Sequence, residues 1–270
     1  MYKWLFYFYV YSFLGWCFES AYVSIKSKRW VNRGFMRGPF LPIYGSGAVM
    51  MLIVSQPFQD NLLLTYLAGC AGATLLEYVV GTVTEALFRV RYWDYSDKRF
   101  NIQGQICLSS TIAWGFFTIL MTEVIHRPIA QFAGWLPDGV LFFATLLLTI
   151  YVSSDFSLSF KAALDMRDVL IRMESAKQEM ERMKKRIDVL IAVTDQALID
   201  EREELHEKFR ILRDRRTQLK NLHDYYKRRL LLDNPDMISR KFKDALEELK
   251  EAAGEHVREY RENRKSREQK

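Results

Sequence analysis

An all-α polytopic membrane bundle that continues into a long cytoplasmic helix is the fold class predicted by three features of this 270-residue sequence. Five apolar stretches, roughly residues 4–25, 39–56, 62–88, 107–125 and 138–160, approach or exceed the about 20 helical residues needed to cross a ~30 Å hydrocarbon core. Lysine and arginine gather in alternate connections between them. Beyond residue 160 the chain becomes strongly charged, and its apolar residues recur in steps of three and four, the spacing of a coiled-coil seam. The expected organisation is a transmembrane helical domain over 1–160, a cytoplasmic coiled coil continuous with the fifth span over 161–232, and an amphipathic helix with a basic tail over 233–270.

Composition agrees with this division. The chain is 49% hydrophobic and 27% charged with a mean hydropathy of -0.13, an average over two unlike halves that describes neither. A net charge of +6 and a pI near 9.1 would suit nucleic acid. The positive residues, however, lie in short loops beside apolar spans, where positive-inside topology and anionic lipid account for them, so no nucleic-acid partner is expected. Cys17, Cys70 and Cys107 lie within or at the edge of apolar spans and offer neither a disulfide framework nor zinc spacing.

The first stretch, Trp4 to Ile25, lacks a basic leader and a small-residue cleavage site, and is read as a retained span. Lys26, Lys28, Arg29, Arg33 and Arg37 follow it, and Arg89, Arg91, Lys98 and Arg99 follow the third span. The remaining connections and the N-terminus supply only Arg127 and Lys3. Five spans with the N-terminus outside and the tail in the cytoplasm satisfy this asymmetry.

Loop one and the start of span two read NRGFMRGPFLPIYGSG, from Asn32 to Gly47. Its glycines and prolines forbid a regular helix through Gly38 to Pro42 and permit a broken or re-entrant entry into the bilayer. Gly45 and Gly47 read chiefly as close-packing positions against span three, and an anion site at Gly45-Ser46-Gly47 is the weaker alternative.

Span three is the most informative. Thr65, Gly69, Ala73, Glu77, Gly81 and Glu85 fall four apart, which at helical pitch draws one stripe along the rod while leucine, valine and tyrosine cover the rest. Small residues on such a stripe admit a neighbouring helix, and a carboxylate at membrane depth costs roughly 2.5–3.5 kcal/mol unless it is paired or wetted. With the proposed topology Glu19, Glu77 and Asp155 all lie on the cytoplasmic side of the midplane, with Glu85 nearer the inner surface. A cytoplasm-facing acidic vestibule, with Arg33, Arg37, Arg89 and Arg91 as counter-ions, stands beside structural ion pairing as the alternative.

Loop three joins Tyr92, Trp93, Tyr95 and Phe100 to Asp94, Asn101 and Gly104. The aromatics are expected interface anchors. Asp94 with Glu85 offers oxygen ligands to a divalent cation, but without histidine or metal spacing no metal site is assigned and no cofactor is expected. Ser109, Ser110, Thr111, Trp114 and Gly115 in span four read as packing and interhelical hydrogen bonding. Asn32-Arg33-Gly34 and Asn101-Ile102-Gln103-Gly104 each follow a span bearing a glutamate, which raises the idea of a parallel internal repeat.

In the tail, Val169, Met173, Ala176, Met180, Met183, Ile187 and Leu190 form a seam. Thr194 and Ala197 continue it, and after a slip of phase by one it runs through Leu198, Leu205, Leu212 and Leu219 to Leu222, Tyr226 and Leu230. Asn234-Pro235 breaks the helix, and Ile238 to Tyr260 forms a last amphipathic helix before a frayed end from Arg261. The seam requires a partner, either a second copy in a homo-oligomer or the last helix folding back.

The sequence contains no GxxxxGK[ST], GxSxG or HExxH, and its four histidines are scattered. It is therefore not expected to be an enzyme, and any ATPase must be a separate subunit. FLGWCFES, NRGFMRGPFLPIYGSG, LLEYVVGTVTEALF, YWDYS and FNIQGQICL, in this order, resemble the bacterial CmpB-like family of ABC-transporter type IV membrane proteins over about residues 10–120. The resemblance implies a permease-like protein of the inner membrane and transfers no substrate, ATPase or catalytic residue. The candidate binding residues are Glu19, Asn32, Arg37, Tyr44, Glu77, Glu85, Asp94 and Asn101. The functions they suit are a transport component in contact with membrane lipids, or a non-transporting scaffold or sensor that recruits partners through its coiled coil.

Overall fold

A computed structural model describes residues 2–192, 199–220 and 225–268. It is about 81% helical with almost no strand. The chain forms two compact units, one of residues 1–161 with 233–238 and the other of 162–232 with 239–270.

The first unit contains α1 (Tyr2–Ser27), α2 (Pro42–Ser55), α3 (Leu62–Phe88), α4 (Leu108–Leu120), α5 (His126–Trp135) and the first part of α6 (Asp138–Ala192). Three described helical stretches, Leu62–Phe88, Leu108–Trp135 and Asp138–Ile191, are long and apolar enough to cross a membrane. Leu63, Leu67, Leu75, Val79 and Val83 remain exposed along α3, the pattern of a helix whose outer side meets lipid.

The stripe on α3 is the side turned inward. Thr65, Gly69, Ala73, Glu77 and Gly81 are buried, and Glu85, at the helix end, is half-buried. A side chain at Gly69 would run into Thr118 of α4, one at Gly72 into Val54 of α2, and one at Gly81 into Gln105 and Trp93. Asn61 caps the helix start through Oδ1, which accepts from Leu63 and Leu64 at 3.1 Å each. Arg89 ends it in the left-handed conformation.

Helix α2 is shorter than the apolar stretch suggests. At 14 residues it spans ~21 Å, and only a 3-10 turn, Gln56–Phe58, extends it. Proline at its first position sets this start. The chain before it enters the bundle without helical structure, and Met36 and Phe40 are buried against Tyr9 of α1 and Val152 of α6. Backbone at that depth must find partners. Val31 and Arg33 donate their amides to Ser24 and Ser20, Arg37 to Ser159, Gly38 to Asp155, and Leu41 to the Ser12 carbonyl. Gly45 packs on Ser12 and Phe8 of α1 instead of on α3, and Gly47 faces open space. Neither glycine is therefore a close-packing position against α3, which meets α2 at Gly72 and Val54 instead.

Helix α4 does not stop at residue 125. It widens into a π turn, Met121–Ile125, and continues as α5, so Arg127 and Pro128 are helical. The wide turn changes the hydrogen-bond register just ahead of the proline, whose missing amide would otherwise interrupt the helix. The two basic loops fold differently. Loop one forms no strand, whereas loop three contains a hairpin of β1 (Asn101–Ile102) and β2 (Ile106–Cys107), turned at Gln103 and Gly104, both at positive φ.

The second unit has its own core of Met166, Leu170, Met173 and Ala176 from α6, Leu230 and Leu231 from α8 (Tyr225–Asp233), and Phe242, Ala245, Leu246, Leu249 and Ala253 of α9 (Lys243–Glu268) and its approach. Met173 and Leu170 are fully buried within one chain. Lys177 of α6 pairs with Asp244 of α9, and Arg216 and Lys220 of α7 (Ile199–Lys220) pair with Glu248 of α9 at 2.6 and 2.9 Å. The last helix is therefore part of the cover over the α6 seam. It also runs to Glu268, beyond the Arg261 at which fraying was expected. Thr194, Ala197, Leu198 and Leu222 lie outside the described residues.

Candidate functional site

Glu77 is buried in the first unit, 6% exposed, as is Asp155, 8% exposed. The Glu77 carboxylate accepts from the Tyr95 hydroxyl at 2.9 Å, the Trp114 indole at 2.8 Å and the Ser110 hydroxyl at 3.4 Å. Ser110 and Trp114 stand four apart on α4 and so share the face turned to α3. Tyr95 comes from loop three, whose backbone is tied to the hairpin by its own amide donating to the Gly104 carbonyl at 2.9 Å. No arginine takes part in the ion pairs or hydrogen bonds found at Glu77 among the described residues.

Glu19 of α1 accepts from the Tyr44 hydroxyl at 2.5 Å and lies 4.0 Å from Nε of Arg33. Tyr44 reaches it by lying over Gly15, where any side chain would strike the tyrosine ring. The Tyr95 hydroxyl donates to Glu77. It is held above the ordinary tyrosine range first by burial, then by the charge and hydrogen bond of Glu77, with a further contribution from the charge of Glu19. Such a phenol stays protonated and available as a donor throughout the physiological range. Glu19 with Tyr44 and Arg33, and Glu77 with Tyr95, Ser110 and Trp114, are thus two hydrogen-bonded groups drawn from α1, α2, α3, α4 and the two basic loops.

Glu85 and Asp94 belong to a separate network. Arg91, 5% exposed, contacts Glu85 at 2.5 Å and Asp94 at 3.4 Å, and donates to the Gln103 carbonyl at 2.8 Å. Gln105 donates to Glu85 at 2.7 Å, and the Ser96 hydroxyl to Asp94 at 2.7 Å. A guanidinium occupies the position that a cation shared by these acids would need, and no group of metal-binding side chains occurs among the described residues. Arg91 organises loop three beneath α3, which fits a structural ion-pair network better than an open ligand site.

The remaining candidates brace loops. Asn32 accepts from the Trp16 indole at 2.5 Å and donates to the Arg37 carbonyl at 3.1 Å. Arg37 donates to the Leu158 carbonyl at 3.3 Å. Asn101 donates to the Ser96 and Lys98 carbonyls and accepts from Gly104. Asp155 is engaged by the Gly38 amide at 2.7 Å.

Arg33 connects the Glu19 group to a distant part of the chain. Besides Glu19, it approaches Asp236 at 3.8 Å and donates to the Asp233 carbonyl at 3.4 Å. Asn234 is buried and donates to the Gly34 carbonyl at 3.3 Å, and Ile238 exchanges two backbone hydrogen bonds with Arg91, at 2.7 and 2.9 Å. Sequence reading missed Tyr95, Gln105 and the return of residues 233–238. The four-residue spacing of Ser110 and Trp114 was the available clue to the donors on Glu77.

Searches of curated proteins and of solved structures match nothing to this chain. The model of the family described as "Putative ABC-transporter type IV" matches residues 6–160, a span that ends one residue before the first unit's boundary at Lys161. It covers more than half of the 270 residues, so the chain belongs to that family.

Proposed function

We propose that the protein is the permease-like membrane component of a transport system, working through an acidic site that opens to the cytoplasm. The observation that carries this reading is the buried Glu77, held by the neutral donors Tyr95, Ser110 and Trp114 instead of a guanidinium. An intramembrane carboxylate kept in that way is suited to exchange a proton or a cationic group, whereas one locked to arginine is not. The chain itself performs no covalent chemistry, and an ATPase, if one drives transport, is a separate subunit.

The accompanying topology is five spans in the bacterial inner membrane, N-terminus outside and tail in the cytoplasm. Tyr2 and Lys3 at the start of α1 contact Asp138 at the start of α6, which supports the first and fifth spans running in the same direction. The test is Glu77→Gln in a strain whose own copy is deleted. Complementation should be lost while the protein remains folded in the membrane fraction, and full complementation would remove Glu77 from the mechanism. Purification from native membranes should bring a P-loop ATPase with it.

A second reading, a scaffold or sensor acting through the tail, is favoured by the separate core of the second unit. Because α9 contributes to that core, a homo-oligomeric coiled coil built on the same seam would have to displace it. Exchanging apolar residues on the exposed side of the tail, such as Ile211→Glu, should abolish function in the scaffold reading and leave transport intact in the first.

A further inference from the structure

The segment 233–238 is connected in sequence to α8 and α9 but belongs structurally to the first unit. Three independent contacts hold it there. Asp236 shares Arg33 with Glu19, Asn234 bonds the loop-one carbonyl of Gly34, and Ile238 pairs backbone to backbone with Arg91 of loop three. Met237 is completely buried, and Asn234 is 1% exposed, although it is polar and flanked by proline. A connector between two helices needs none of this, and loops ordinarily run exposed.

Each contact falls on a residue next to the acidic networks. Arg33 is the cation beside Glu19, and Arg91 is the cation between Glu85 and Asp94. The segment therefore stands on both basic loops at once, at the end of the bundle where the proposed site opens. Its acid, Asp236, is 60% exposed in its side chain, whereas the arginine it approaches is 15% exposed. Such a pair is weakened by solvent on one side and can be released without disrupting the bundle.

We propose that Asp233–Ile238 is a tethered plug that closes the cytoplasmic approach to Glu19 and to the Tyr95–Glu77 pair, with Asp236 and Glu19 competing for Arg33 as the closing contact. When the plug leaves, Arg33 is freed towards Glu19 and the entrance is exposed to water. The plug is the connector between α8 and α9, so a partner bound to those helices has a direct covalent handle on it. The inference rests on Glu77 being the working acid, but its test reads water access and needs no transport activity.

In full-length protein carrying Cys17→Ser and Cys70→Ser, Cys107 is the remaining thiol. It contacts Ser110, which in turn bonds Glu77. Inside-out vesicles are treated with a sulfonated, membrane-impermeant maleimide. Asp236→Asn, and separately Asn234→Ala, should accelerate Cys107 labelling roughly fivefold or more, as expected when one closing contact is removed from an opening equilibrium. Unchanged rates in folded variants overturn the proposal. If the variants fail to fold, wild-type protein decides it. The opening equilibrium read from hydrogen exchange at the Arg91 and Ile238 amides should agree with that read from Cys107 labelling within about threefold, and a tenfold disagreement overturns the plug. Accelerated labelling with Glu77→Gln fully functional would leave the plug standing and remove the transport site.

Discussion

Tyr95 in loop three donates to Glu77 in α3 across a chain separation of 18 residues, at 2.9 Å. A loop expected to serve as an interfacial aromatic anchor thus supplies a hydrogen-bond donor to a buried acid. Replacing Tyr95 by phenylalanine keeps the ring and removes the hydroxyl, leaving a buried acceptor short of a donor. The expected loss is about 1–3 kcal/mol of stability, seen as a lower thermal midpoint in detergent. Trp114→Phe should act similarly, and because both residues serve one carboxylate their effects should not add. An additive double variant would mean that the two donors do not act on the same group.

The packing of α3 on α4 gives a second expectation. A side chain at Gly69 would meet Thr118, which is itself fully buried. Gly69→Val should cost about 1–3 kcal/mol through overpacking. Removing Thr118 atoms by Thr118→Ala should recover part of the loss, even though Thr118→Ala alone destabilises. Absence of rescue would place the two residues apart.

The stripe on α3 was legible because helical pitch converts a four-residue spacing into one face, and a single buried face is all that the pattern asserts. The helix break at Asn234-Pro235 was equally local and visible. Other features depend on non-local pairing that no spacing encodes. Gly45 could have packed on either neighbour of α2, and only the loop-one path sets it against α1. The hairpin in loop three needs Gln103 at positive φ, an unfavourable conformation for a residue with a side chain and one that composition does not announce. Glu85 and Asp94 could be paired from sequence as oxygen donors, but not the identity of the group between them, which is Arg91, three residues before Asp94. The docking of residues 233–238 on Arg33 spans 200 positions and has no local signature.

Arg91 is the least replaceable member of its network. With two carboxylates and a carbonyl around a guanidinium that is 5% exposed, Arg91→Ala leaves two acids facing each other without a counter-ion. Breaking such a buried pair from one side costs about 3–5 kcal/mol, and much of that should return in Arg91→Ala with Glu85→Gln. The check is the thermal midpoint of the single and double variants. Equal midpoints would show that Glu85 does not depend on Arg91.

Acid should loosen α9 before it affects the membrane helices. Asp244 is held below the usual carboxylate range by its hydrogen bond from, and the charge of, Lys177. Glu248 is pushed upward by burial, but Lys220 and Arg216 outweigh this and hold it low as well. A group whose folded pKa is depressed contributes stability above its unfolded pKa and loses it as pH falls through the folded value. With unfolded carboxylates near ~4, this contribution is complete at neutral pH and is withdrawn below about pH 4. Amide protection along α9, followed by hydrogen exchange on the full-length protein between neutral pH and about pH 3, should therefore fall in the acid range. Glu248→Gln should already lower it at neutral pH and flatten the acid-dependent part. An acid response unaltered by Glu248→Gln would assign the loosening to other carboxylates and leave the α7–α9 pairs without a measurable role.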